Sequence, residues 1–101
     1  MGVSYEWLVE EIDADGDITD VVHFNDAASA LRHALDVRAR GVRADLGVVR
    51  DRIDASGYLC RSWAYADDNN RIGAHFLDAA DEEVARVPAR FIAELKRARG
   101  A

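Results

Sequence analysis

From Tyr5 to Phe24 the apolar side chains follow a period of two on either side of the stretch "ADGD". A period of two places alternate residues on opposite faces of an extended strand, so this pattern predicts strand, turn and strand. A two-residue type I′ turn at Asp15-Gly16 would pair Trp7 with Phe24 and Val9 with Val22, with Tyr5 on the same face. Sliding the pairing by one residue would set Glu10 opposite Val22 and Glu11 opposite Val21. That slip buries charge or exposes apolar area, so the first register is expected.

The same reasoning carries along the chain. "NDAASALRHALDVRARG" predicts a helix of about four turns, with Asn25 or Asp26 as N-cap, Leu31, Ala34, Leu35 and Arg38 at helical spacing and Gly41 closing it. Ala27, Ala28 and Ala30 would let it approach a sheet closely. "DLGVVRDRIDASGYLCRSWAYADD" predicts a second hairpin around the three-residue loop Ala55-Ser56-Gly57, glycine taking the left-handed position. That register pairs Ile53 with Leu59, Val49 with Trp63 and Asp51 with Arg61. After a turn at "DDNN", "RIGAHFL" reads as a further strand with Ile72 and Phe76 inward. "DAADEEVAR" reads as one or two helical turns capped by Asp78. Pro88 then suits the first turn of a terminal helix with Phe91, Ile92, Leu95 and Ala98 as its apolar stripe. These elements predict one α+β domain over residues 1–101, a mainly antiparallel sheet in the order ββαβββα with helices packed on one face.

The 101-residue length suits one domain. Half the residues are apolar, but 18 of them are alanine, so the core is expected to be lean. No apolar run approaches a bilayer span, and "MGVSYEWLVEE" has neither the basic start nor the apolar stretch of a signal peptide. No membrane association and a cytoplasmic location are therefore expected. Cys60 stands alone, which excludes an internal disulfide and a multi-cysteine zinc site.

Net charge is −6, but residues 1–31 carry eight acids and no lysine or arginine, residues 32–61 are +3, and residues 62–101 are −1. A one-signed segment of this kind steers association with a partner of opposite sign. Against nucleic acid as that partner stand the overall acidity, the single lysine and the lack of aromatic residues among Arg38, Arg40, Arg43, Arg50 and Arg52.

The acidic stretch "EIDADGDITD" raises the question of a calcium loop. Starting the loop at Glu11 puts Asp13, Asp15, Gly16 and Ile18 where an EF-hand wants them, but position 12, which should be a bidentate glutamate, is Val22. The strand-like flanks also differ from the helices such a loop requires. His23, His33, His75 and Cys60 form no ligand spacing. Ser4, Ser29, Ser56 and Ser62 show no nucleophile elbow, and the scattered glycines make no phosphate loop. The expectation is a protein that is not an enzyme and takes no metal or other cofactor.

Taken together, "YEWLVEEIDADGDITDVVHF", "LGVVRDR", "WAYADD" and "VPARF" resemble a group of short, acidic, uncharacterised proteins encoded in bacteriophage genomes of GC-rich hosts. The resemblance covers most of the chain and brings no catalytic motif. It implies a phage context, in which small acidic domains bind and block a host or defence protein such as a nuclease, a CRISPR effector or RNA polymerase. Some mimic DNA, for which −6 on 101 residues is a modest charge.

The expected function is thus that of an acidic interaction module, inhibitor or adaptor, whose partner is a host or defence protein with a basic surface. Glu6, Leu8, Glu10, Ile12, Asp13, Asp15, Asp17 and Asp20 are its expected contact residues. Glu6 and Glu10 share the hairpin's outer face with Leu8, Ile12 and Val21, an apolar strip among acids. Two alternatives stand beside this. One is a metal or small-ligand site in the Asp13–Asp20 loop, and the other is a homodimer or structural assembly of this chain.

Overall fold

The computed structural model describes residues 2–66 and 75–100. The elements are β1 (Val3–Ile12), β2 (Ile18–Phe24), α1 (Ala27–Ala39), β3 (Arg43–Ile53), β4 (Leu59–Tyr65), β5 (His75–Leu77), β6 (Glu83–Arg86) and α2 (Ala89–Gly100). All six strands join one antiparallel sheet in the order β2-β1-β3-β4-β5-β6. Since β2 and β3 both run antiparallel to β1, α1 carries the chain across β1 between two parallel strands. The result is α+β with both helices on one face.

The two expected registers are present: Trp7 pairs with Phe24, Val9 with Val22, Ile53 with Leu59, Val49 with Trp63 and Asp51 with Arg61. The first turn differs from the expected two-residue type. Asp13 N–H donates to Asp17 O at 2.9 Å and Gly16 N–H donates to Asp13 O at 3.0 Å, closing a three-residue loop with Gly16 at φ +86°. The extra residue is absorbed at Thr19, where the register steps between Glu11–Asp20 and Ile12–Ile18. Beyond that bulge the hairpin keeps its expected faces.

One loop design recurs three times. In "DADGD", "DASGY" and "DAADE" the leading aspartate's Oδ1 accepts two backbone N–H groups, from Asp15 and Asp17, from Ser56 and Tyr58, and from Ala80 and Glu82. This carboxylate fixes the start of each turn. The third copy corrects the helical reading of "DAADEEVAR". Residues 83–86 form β6, and Asp81 at φ +62° holds the place that glycine takes in the other loops. The turn at "DDNN" and residues 71–74, including the expected inward Ile72, lie outside the described residues.

The core lies between the helices and one face of the sheet. Trp7, Val9, Leu46, Val48, Ala64 and Phe76 meet Ala30, Ala34 and Val37 of α1 and Leu95 and Ala98 of α2. Phe91 stands edge-on to Tyr5 and Trp7, centroids 4.9 and 5.2 Å away. The α1 seam is turned from the expected one, leaving Leu35 41% exposed, because its small residues face the sheet and bring the backbones close. Asp26 caps α1 by accepting from Ser29 N–H at 2.7 Å, and Gly41 at φ +81° ends it with bonds from Gly41 and Val42 N–H back to Arg38 and Val37 carbonyls. Arg38 then ties both helices to the sheet, donating to Ala44 O from Nε and Nη2 and to Ala98 O from Nη1.

Candidate interaction surface

The face of the sheet opposite the helices carries the outward residues of β1 and their neighbours. Glu6, Leu8, Glu10 and Ile12 come from β1, Asp45, Gly47, Val49 and Asp51 from β3, and Arg61, Trp63 and Tyr65 from β4. Gly47 lies between Leu8 and Tyr65 in the register, and a Cβ there would meet the Tyr65 ring at 2.6 Å. The ring fills the space a side chain would take and lies across β3, so that its hydroxyl donates to Glu10 Oε2 at 2.9 Å. Burial first, then the charge and hydrogen bond of Glu10, push the Tyr65 phenol pKa well above the ordinary tyrosine range.

This packing corrects the expected apolar strip. Leu8 is 2% exposed and Ile12 9%, so neither offers surface to a partner, while Val21 is 41% exposed. Glu6 lies 3.6 Å from His23 Nδ1, and Glu10 is engaged by Tyr65. Nearby, Asp51 accepts from Arg61 Nε at 2.8 Å and Nη2 at 3.1 Å, which raises the Arg61 pKa.

The four aspartates of the first hairpin are arranged differently. Asp13, Asp15, Asp17 and Asp20 are all exposed, and none makes an ion pair with a base among the described residues. Asp13 and Asp15 border an open cleft of about 740 Å³ between the hairpin loop and the α1–β3 turn, lined also by Glu11, Thr19 and Arg43. Carboxylate oxygens of Asp13, Asp15 and Asp17 lie within 4.8 Å of one another, a spacing a cation could use. The position of Asp13 is nevertheless explained by its loop bonds, because Asp54 makes the same bonds in a loop that holds no other acid. Val22, at the last position of the tested calcium loop, sits in β2. Asp20 Oδ1 accepts from Val21 N–H at 3.0 Å and so occupies a backbone donor of the edge strand.

Tyr65 and Gly47 are the residues that strand pattern alone did not single out. A glycine inside a β-branched run was the available signal, since it marks a close approach. Among the described residues no helix is long and apolar enough to cross a membrane. No protein-family model, curated protein or solved structure matches the chain.

Proposed function

We propose that this protein is a non-enzymatic interaction module that binds a basic protein surface through the β1–β2 hairpin. The observation that carries this reading is the group of four exposed carboxylates, Asp13, Asp15, Asp17 and Asp20, with no ion-pair partner among the described residues. Several other acids of the fold are paired, as in Asp51–Arg61, Glu94–Arg97 and Glu11–Arg40. An unneutralised cluster at one end supplies a field that selects a cationic partner and speeds encounter with it. Glu6 and Glu10 extend the acidic surface along β1. Leu8 and Ile12 serve by anchoring the hairpin rather than by contact. The resemblance to phage-encoded proteins makes the partner a host or defence protein in the bacterial cytoplasm, bound as by an inhibitor or adaptor. Pairing with a second copy along β2 is opposed by the Asp20–Val21 bond, which occupies a backbone donor of that strand.

The test compares the wild type with the quadruple variant D13N/D15N/D17N/D20N. Asparagine keeps the oxygen that accepts the loop bonds of Asp13 and the Val21 bond of Asp20, so the fold is expected to stay intact. Both proteins are used to capture partners from host lysate at low and physiological salt. The expected result is a protein with a basic surface, recovered by the wild type, weakened by salt and lost with the variant. Equal capture by the folded variant sinks the acidic-hairpin reading. A cation-binding loop, supported by the carboxylate spacing, would take its place if calcium raised the melting temperature of the wild type and not of the variant.

A further inference from the structure

The opposite end of the sheet carries a cleft of the other sign. Beyond the core residues Ala44, Leu46 and Val48, the helix-side face of β3 continues with Arg50 and Arg52, opposite Ser62 and Cys60 of β4. Two residues apart on one strand face, their Cα atoms are separated by about 6.6 Å. The two arginines border a cleft of about 500 Å³ closed on its far side by Val84 and the Asp78–Ala80 loop. Arg50 is half-buried. Neither arginine makes an ion pair or a side-chain hydrogen bond among the described residues.

Most other arginines here are engaged. Arg61, which also borders the cleft, is held by both oxygens of Asp51. Arg38 is bonded to carbonyls, Arg97 to Glu94, and Arg90 lies over the Phe91 ring at 4.7 Å. Asp78 is the acid lining the cleft, and its Oδ1 is taken up by the N–H groups of Ala80 and Glu82. Asp54 behind Cys60 is likewise bonded to its own loop. Two guanidinium groups on one strand face repel each other, and the half-buried one, Arg50, is the less well hydrated. A shared anion relieves both costs, and a phosphate offers the oxygens for two forked contacts.

We propose that this cleft binds the terminal phosphate of a small molecule, with Arg50 and Arg52 holding the dianion and the Ser62 and Cys60 side of the floor packing against its ester. A small ligand fits the charge distribution better than a nucleic acid does. A long polyanion would extend into the field of a chain that is −6 overall, whereas a compact one feels the local arginines.

The test is an amide chemical-shift titration of the whole chain with inorganic phosphate against sodium chloride at matched ionic strength. Saturable shifts centred on Arg50, Arg52, Cys60 and Ser62 are expected. Affinity should fall about a hundredfold in Arg50→Gln/Arg52→Gln and about tenfold in Arg52→Gln, since each lost charge-assisted contact removes about a factor of ten. Arg52 is exposed, so Arg52→Gln alone carries the comparison should the double variant not fold. Absence of saturable shifts, or unchanged affinity in the variant, overturns the proposal. A parallel titration with a short single-stranded oligonucleotide separates the sources. Displacement of phosphate from this cleft by the oligonucleotide at equal or lower concentration overturns the small-molecule assignment.

Discussion

Asp54 and Asp78 show how one carboxylate can fix a hairpin. Each accepts two backbone N–H groups that the turn would otherwise leave to solvent. Removing the acceptor by Asp54→Ala or Asp78→Ala should cost about 1 kcal/mol each, read as a lower urea midpoint, while asparagine at either site should restore most of it. The third loop has a flaw the others lack, since Asp81 adopts φ +62° where glycine stands at 16 and 57. Asp81→Gly is therefore expected to stabilise by about 0.5 kcal/mol, because the left-handed region is penalised for a residue with a Cβ. Tyr65 gives the chain a distinct alkaline signature. Its phenol pKa is raised in the folded state by burial and by Glu10, while the unfolded phenol ionises near the ordinary value of about 10. Above that pH the unfolded chain releases a proton that the folded one keeps, so this contribution is fully present below pH about 10 and declines as pH rises further. Urea midpoints followed from neutral to strongly alkaline pH should fall more steeply for the wild type than for Tyr65→Phe. Parallel curves would show that the Tyr65–Glu10 contact is not maintained in solution.

At the scale of elements, the sheet depends on how α1 and α2 are fastened to it. Arg38 holds Ala44 O with two donors and Ala98 O with a third, joining α1 to the start of β3 and the last turn of α2. Arg38→Ala should cost about 2–3 kcal/mol in urea unfolding. Arg38→Lys should recover little, because an ammonium cannot reproduce a fork that reaches two carbonyls at once. Full recovery by lysine would mean that charge, not geometry, is what this position supplies. These elements also show what could be read from sequence. The first two hairpins were legible because misregistering them would bury Glu10 or set Arg50 against Arg61. The third was not, since "DAADEEVAR" is rich in good helix formers and its strands are too short to display a period. The "D-A" start it shares with the other loops was the better signal. In α1 the close approach expected of Ala30 is present, whereas Leu35, at helical spacing with Leu31 and Ala34, is turned outward. In the candidate surface the acids were legible by position. The burial of Leu8 was not, nor was Tyr65, which reaches Glu10 from two strands away across Gly47.

For the whole molecule the arrangement of charge is the distinguishing feature. β1 runs about 30 Å from Val3, beside Arg52, to Ile12, beside the loop of aspartates. That distance is about three Debye lengths at 0.1 M salt, so the acidic loop and the basic cleft act as independent fields and can serve different ligands. The four aspartates of the acidic end make no ion pair among the described residues, and this has a measurable consequence. Exposed like charges held together in the native hairpin repel more than they do in the expanded chain, and salt screens that repulsion. The wild type should therefore gain stability as sodium chloride rises from about 10 mM to about 200 mM, the range over which the Debye length shrinks from about 30 Å to below 10 Å. D13N/D15N/D17N/D20N should start from a higher urea midpoint at low salt and respond less. If wild-type stability fell with salt instead, the aspartates would be engaged in attractive pairs within the chain. They would then not be available to a basic partner, and the proposed mode of binding would lose its physical basis.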